Sequence, residues 1–348
     1  MVIQENLPLA PLTTFKIGGP ARYFVEATTT AEVQQAVALA RQRQWKLFVL
    51  GGGSNLVISD DGWPGLVVKI GILGINHVHG RDHVTFEAGA GEEWDSFVAF
   101  VVGHNIGGIE CLSGIPGSVG GTPVQNVGAY GQEVADVIES VQALDLKSGE
   151  ISELWKEDCQ FRYRSSIFNT SERGRYVILQ VNFALKHRIA PHLEYADLKK
   201  HFSGWTSVPT LAQTREAVRQ IRAAKGMLIT PGDEDSQSAG SFFRNPVLSA
   251  DEHARLEAKA QAQGLNLPSY PALETQKKIS AAWLVEHSGF RKGYTQGRIG
   301  LSSKHALAIV NRGGATAADV IALKDQIQSR VEQAWGVRLE PEPAFVGF

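Results

Sequence analysis

The stretch GGIECLSGIPGSVGGTPVQNVGAYG, residues 107–131, decides how the rest of the chain is read. Glycine stands at 107, 108, 114, 117, 120, 121, 128 and 131, among small or amide-bearing residues: Ser113, Ser118, Thr122, Gln125 and Asn126. Each glycine costs backbone entropy on ordering, so the run is poor helix and poor strand. Ile115, Val119, Val124 and Val127 are apolar, which argues against a solvated linker. Two readings stay open. One is a buried loop whose backbone N–H groups approach a ligand, suited to phosphate or carbonyl oxygens. The other is a set of tight turns between strands.

Residues 46–59, KLFVLGGGSNLVIS, offer a second loop of the same kind. An apolar strand leads into a Gly-Gly-Gly-Ser-Asn turn and a second apolar strand. The dinucleotide fingerprint Gly-x-Gly-x-x-Gly fails, because Leu56 stands where the third glycine belongs and strand follows instead of helix. A Gly-Lys-Ser/Thr phosphate loop is also missing. Two small-residue loops on separate strands would instead hold a pyrophosphate from two sides.

Working outward, 348 residues suffice for two or three domains. A hydrophobic share of 43% and a charged share of 20% are ordinary for a globular protein. A net charge of −2 gives no basic field for nucleic acid. No apolar run reaches the roughly 20 residues of a membrane span, and MVIQENLPLAPL lacks a secretory pattern. Cys111 and Cys159 are far apart and read as packing residues in a reducing cytoplasm. His77 and His79 share a strand face near His83, with no carboxylate or cysteine beside them, and read as a polar turn, not a metal site.

Residues 13–27 read as a strand-forming run with a Gly-Gly turn, and 30–44 as a helix capped by Thr29 with Glu32. Strands follow at 46–50 and 55–59, giving a small first domain over 1–68. A second unit begins with the VVKI stretch. It contains a helix at 92–104, a hairpin over 138–154 turning at Lys147-Ser148-Gly149, and the strand YVILQVNFALKH; it spans 69–207. The last unit, 208–348, is α+β, with helices at 213–225, 250–263, 279–288 and 316–335 and a strand HALAIVN.

Three segments are too polar for their apolar settings. Arg164, in FRYRSS, suits either a structural clamp on a carbonyl or a two-pronged hold on a carboxylate. Ser241 follows Ala239-Gly240 and precedes Phe242-Phe243-Arg244-Asn245-Pro246; it reads as a turn serine or as a hydroxyl held in a fixed direction. Glu340 and Glu342 alternate along the final strand, stiffened by Pro341 and Pro343, as solvated edge carboxylates or as a rigidly placed catalytic one.

Together, TTFKIGGPA, GGGSNLVISD, SGIPGSVGGTPVQNVGAYG, YRSS, KG, AGSFFRNP, AAWLVEHSG, HALAIVN and LEPE resemble one family in order and over nearly the whole chain. That family is UDP-N-acetylenolpyruvoylglucosamine reductase (UDP-N-acetylmuramate dehydrogenase, MurB), in its longer, tyrosine-loop subtype. GSVGGTPVQNVGAYG with GSFFRNP is the most specific pairing.

The resemblance implies an α+β flavoenzyme of peptidoglycan synthesis. Its fold would be the FAD-binding fold of the vanillyl-alcohol-oxidase type, two α/β subdomains, followed by a substrate domain, with the final strand returning to the first. FAD would bind non-covalently, met by Gly52, Gly53, Ser54 and Asn55 and by Ser113, Gly114, Pro116, Gly117, Ser118, Val119, Gly120, Gln125, Asn126, Gly128, Ala129 and Tyr130. Arg164, Ser241 and Glu342 align with the catalytic residues, and Tyr195, Lys225, Asn245 and Tyr270 with substrate-binding positions. Thr13 departs from the asparagine common before Thr-Phe. NADPH would reduce the flavin, and the enolpyruvyl group of UDP-N-acetylglucosamine enolpyruvate would then take hydride at the carbon beta to its carboxylate. The implied protein is a cytoplasmic monomer without nucleic-acid partners or membrane insertion. An alternative on the same fold is an FAD-dependent alcohol or sugar oxidase or dehydrogenase.

Overall fold

The computed structural model describes residues 1–187, 189–272 and 275–348. The chain forms two compact units. The first comprises Met1–Leu7, Ala21–Gly53 and Trp63–Ala224, and the second Pro8–Pro20, Ser54–Gly62 and Lys225–Phe348. The divisions at 68 and 207 drawn from the sequence both fall inside the first unit.

In the first unit, Gln4–Pro8, Pro20–Ala27, Trp63–Ile70 and Leu47–Leu50 lie in that order in a four-stranded sheet. Trp63–Ile70 is parallel to both Pro20–Ala27 and Leu47–Leu50. Helix α1 (Thr30–Gln42) makes the crossover, burying Val33, Ala36, Val37 and Ala40, with the Thr29 side chain accepting from Glu32 N–H. The VVKI stretch, read as the start of a second domain, is instead the middle of this sheet. Leu66, Val67 and Val68 are buried, as expected of a parallel strand with neighbours on both edges.

A larger antiparallel sheet runs Ile151–Trp155, Ile138–Asp145, Tyr176–His187, His83–Gly89 and Ile75–His79, with Ile106–Gly107 also pairing to Tyr176–His187. Helix α2 (Trp94–Gly103) presents Trp94, Phe97, Val98 and Val101 to it, and Phe97 packs 5.0 Å from Phe183, ring to ring. Both sheets share one hydrophobic core, which explains why no boundary falls between them. Two helices close the unit: short α3 (Ala196–His201) and α4 (Leu211–Ala224).

The second unit holds an antiparallel sheet ordered Ser238–Ser241, Ala308–Asn311, Ile299–Leu301 and Thr295–Gln296. A small sheet places Lys277–Ile279 between Val247–Leu248 and Ser269–Pro271. Helices α5 (Ala250–Gln261), α6 (Ala281–Glu286) and α7 (Ala317–Trp335) begin at Ser249, Ser280 and Thr316, whose hydroxyls each accept a backbone N–H of the first turn. Asp60 adds two further acceptors at the start of α7, from Ala317 N–H at 2.8 Å and Ala318 N–H at 3.1 Å.

Leu56–Ile58, expected in the first domain's sheet, pairs in parallel with the closing strand Ala344–Val346. This is the return of the final strand to residues 1–68 that the family resemblance implied. Glu340 and Glu342 lie just before that strand, on either side of Pro341, which bridges to Phe243.

Candidate functional site

In the first unit the two glycine loops touch. A Cβ on Gly52 would lie 2.6 Å from the Gly117 backbone and 2.7 Å from Ser118 N, and one on Gly51 would lie 2.9 Å from Ser118 Oγ. No side chain fits at Gly52 without moving backbone, so the close approach requires glycine. Gly53 and Gly117 also adopt φ of +65° and +134°. The Ser118 hydroxyl is buried at this contact and has no hydrogen-bond partner among the described residues. A small-residue cradle with an unspent buried hydroxyl suits the oxygens of a cofactor pyrophosphate.

The cradle's shape is fixed by charged residues that sequence reasoning missed. Gly114, at φ +71°, has both backbone polar atoms held. Asp95 of α2 accepts its N–H at 2.6 Å, and Arg222 of α4 donates Nε–H to its carbonyl at 3.2 Å. Burial by itself would raise the Asp95 pKa, but hydrogen bonds from Arg215 and Gly114 prevail and hold the carboxyl below its usual range. Arg219 binds the same carboxylate. Arg215, Arg219 and Arg222 are spaced i, i+4, i+7, a helical pattern that was legible in QTREAVRQIRAAK.

Glu110, fully buried, accepts from Gly108 N–H at 2.8 Å, Gln132 Nε2 at 2.9 Å and His192 N–H at 3.0 Å. Ser113 Oγ donates to the Glu110 carbonyl at 2.6 Å. These bonds fix the entry to the loop. Asn126 is buried at φ +46°, donates to Glu133 Oε2 and to Arg162 O, and accepts from Ala135 N–H. Its side chain therefore serves the loop's own structure.

Arg164 stands at φ +54° in the tight turn 162–165, which closes by reciprocal bonds between Arg162 and Ser165. A left-handed arginine costs about 1 kcal/mol or more and marks a residue held for a reason. Its Nη2 donates to Gly128 O at 2.7 Å, and Ser166 Oγ ties the same turn to Val124 O at 2.6 Å. The carbonyl clamp foreseen for Arg164 is thus present. Burial pushes the Tyr130 phenol up to about 12. Tyr195, half exposed, meets the Tyr130 ring edge-on at 5.2 Å.

In the second unit, the segment Ser241–Arg244 lies between two others. Phe242 N–H donates to Leu307 O, Glu342 N–H to Phe242 O at 2.8 Å, and Arg244 N–H to Glu340 O at 3.0 Å. Phe242 and Phe243 are buried and anchor the segment. Ser241 and Glu342 therefore ride on adjoining backbone, with Gly240 at φ +75° bending the chain into Ser241. Ser241 Oγ lies 3.3 Å from His305 Nε2. Burial, with the positive charges of Lys225 and Lys292, pushes the His305 ring down to about 4.

Ser54 and Asn55 are tied to this same framework. Thr14 Oγ1 reaches Ser54 O at 3.3 Å and Ser238 O at 2.7 Å, and Asn55 Nδ2 donates to Glu342 O at 3.3 Å. Thr13 donates within its own turn, to Ala10 O. Asn245 Oδ1 accepts Ala281 N–H at the start of α6. Tyr270 is exposed on its short strand opposite Lys278; Leu273, which ends its motif, lies outside the described residues. Among the described residues no group of three His, Cys, Asp or Glu could hold a metal ion. His77 instead stacks on Phe86, and His79 Nδ1 lies 3.4 Å from His187 Nε2. Among those residues no helix is long and apolar enough to cross a membrane.

Comparison with known proteins agrees with this geometry. Residues 21–154 match the FAD binding domain family, and residues 231–346 match the C-terminal domain family of UDP-N-acetylenolpyruvoylglucosamine reductase. The UDP-N-acetylenolpyruvoylglucosamine reductase of Streptomyces coelicolor is 45% identical over 354 residues, covering 99% of this chain and 91% of that one. The protein of the same name from Thermobifida fusca is 43% identical over 350 residues, covering 99% and 98%. The crystal structure of the Thermus caldophilus reductase aligns with a TM-score of 0.68 at 24% identity, over 99% of this chain and all of that one, and shows the shared fold. With a cradle shaped for a pyrophosphate and full-length relatives at this identity, the chain belongs to the UDP-N-acetylenolpyruvoylglucosamine reductase family and is an FAD-containing oxidoreductase.

Proposed function

We propose that this protein reduces the enolpyruvyl group of UDP-N-acetylglucosamine enolpyruvate to give UDP-N-acetylmuramate, using NADPH, with Arg164, Ser241 and Glu342 carrying the chemistry. The observation that carries the reading is the contact of Gly52 with Gly117 and Ser118, joined to full-length likeness to reductases of that name. Bound FAD supplies the chemistry of accepting hydride from NADPH and delivering it to the carbon beta to the substrate carboxylate. Gly52, Gly53, Ser54, Asn55 and the 113–130 loop would hold its pyrophosphate.

Charge develops on the substrate carboxylate in the transition state, and a cation already fixed in place lowers that barrier. Arg164, locked in a strained turn, fits the role. Ser241 supplies the proton to the alpha carbon, and a hydroxyl in a fixed direction does so without rearrangement. Glu342, attached by its backbone to the residue after Ser241, orients that end of the reaction. Lys225, which places positive charge near His305, suits the diphosphate of the sugar nucleotide together with Tyr195, while Asn245 and Tyr270 bind the rest of it. The buried, unpaired thiols of Cys111 and Cys159 fit a cytoplasmic enzyme, and we assign it as a monomer, to be checked by sedimentation.

The test is anaerobic. NADPH should bleach the yellow protein, and the enolpyruvyl sugar nucleotide should restore the colour. Bleaching by an alcohol or sugar, with no response to NADPH, would instead identify an oxidase on this fold.

A further inference from the structure

We propose that His305 is a positioning residue for the proton donor: it holds the Ser241 hydroxyl by donating a hydrogen bond from Nε2–H to Oγ, so that the serine proton is aimed away from the ring. This rests on the reading of Ser241 as the donor.

The tautomer follows from the ring's two neighbours. Leu307 N–H donates to His305 Nδ1 at 3.3 Å, so Nδ1 presents a lone pair. A neutral ring then carries its proton on Nε2. Nε2 lies 3.3 Å from Ser241 Oγ and can only donate there. The serine's own proton must point elsewhere. The ring stays neutral at ordinary pH because it is buried and faces the ammonium groups of Lys225 and Lys292.

The turn that carries His305 is fixed independently of Ser241. Ser302 Oγ accepts Lys304 N–H at 3.0 Å and His305 N–H at 3.2 Å. Asp235 takes Ser303 N–H at 3.1 Å and Ser303 Oγ at 2.7 Å, and is paired with Arg312 at 3.2 Å. Lys304 Nζ meets Asp233 at 2.6 Å. The polar loop at 230–240 thus clamps the 302–305 turn, and the imidazole is preorganised before substrate arrives.

The consequence is chemical. When Ser241 gives up its proton, the O–H bond breaks, a C–H bond forms at the alpha carbon, and the electron pair stays on Oγ. A donor already aimed at that oxygen stabilises the alkoxide, which makes serine a competent acid. Nε2–H is not itself transferred, since imidazolate is too basic. Water returns the proton to Oγ after product leaves.

The test compares His305→Leu, His305→Gln, Ser241→Ala and the double variant Ser241→Ala/His305→Leu, each with normal flavin content. His305→Leu should leave flavin reduction by NADPH unchanged and slow reoxidation by the enolpyruvyl substrate about 10²-fold, the usual cost of one oxyanion donor. His305→Gln, whose amide N–H reaches to a similar place, should recover much of that loss. The double variant should be no slower than Ser241→Ala alone. Nitrogen NMR of the wild-type imidazole should show the Nε2–H tautomer. An Nδ1–H tautomer, or normal reoxidation in His305→Leu while Ser241→Ala is slow, would overturn the role of His305 and leave that of Ser241 standing. Equal damage to both half-reactions in Ser241→Ala would overturn the donor reading itself.

Discussion

The glycine cradle of the first unit and the Ser241 segment of the second solve opposite problems. In the cradle charged side chains are spent on holding backbone: Asp95 and Arg222 on Gly114, Glu110 on Gly108. Around Ser241 the roles reverse. Backbone bonds among 241–244, 305–308 and 340–342 form the frame, which sets Ser241 Oγ 3.3 Å from His305 Nε2 and joins Glu342 to Phe242 through the backbone. A cradle tolerates no added atoms, whereas a frame tolerates changes at its side chains and loses only chemistry. Binding and proton transfer should therefore fail separately.

The largest effect that would break this contrast is at Gly52. In Gly52→Val the new Cβ would sit 2.6 Å from the Gly117 backbone, so the purified protein should be colourless while remaining folded. The ratio of visible to ultraviolet absorbance reads this directly, and full flavin content would show that the loops can part without cost. Next comes Arg164→Lys, which keeps the charge but loses the planar fork. Reoxidation by the enolpyruvyl substrate should fall by about 10²–10³ with flavin retained. If flavin is lost in proportion, Arg164 is only the clamp on Gly128 O.

Asp95→Ala should have a smaller effect of a different kind. It leaves Gly114 N–H without its acceptor and Arg215 and Arg219 without their counter-ion. A loss of about 2–3 kcal/mol follows from orphaning buried polar partners, which lowers the melting temperature by roughly 5–10 °C for a domain of this size. Flavin affinity should weaken alongside. Thermal melts with and without added FAD would check it, and an unchanged melt would remove Asp95 from the loop's support.

How far the sequence carried this picture differs between the regions in the same way. Glycine spacing exposed the cradle because close backbone approach leaves a signature in residue type, seen at Gly52 and Gly117. Helices α1, α2, α4, α5 and α7 were legible from apolar periodicity and caps such as Thr29. Buried Glu110 was not, because a lone glutamate in a loop looks solvated until Gln132 and His192 N–H are found on it. The partner of Leu56–Ile58 was legible only through the family resemblance, since its strand lies at the other end of the chain. His305 stood in plain view in HALAIVN, but its meaning depends on which ring nitrogen faces Leu307 N–H and which faces Ser241, and only folded geometry gives that.

The claim that binding and proton transfer are separable is tested most directly by stopped-flow measurement of the two half-reactions in Ser241→Ala. Flavin reduction by NADPH should proceed at nearly the wild-type rate, because it needs no serine proton. Reoxidation by the enolpyruvyl sugar nucleotide should fall by roughly 10²–10⁴, the usual worth of a general acid. Equal slowing of both steps, with weakened flavin binding, would mean that Ser241 shapes its segment and donates nothing, and would contradict the account.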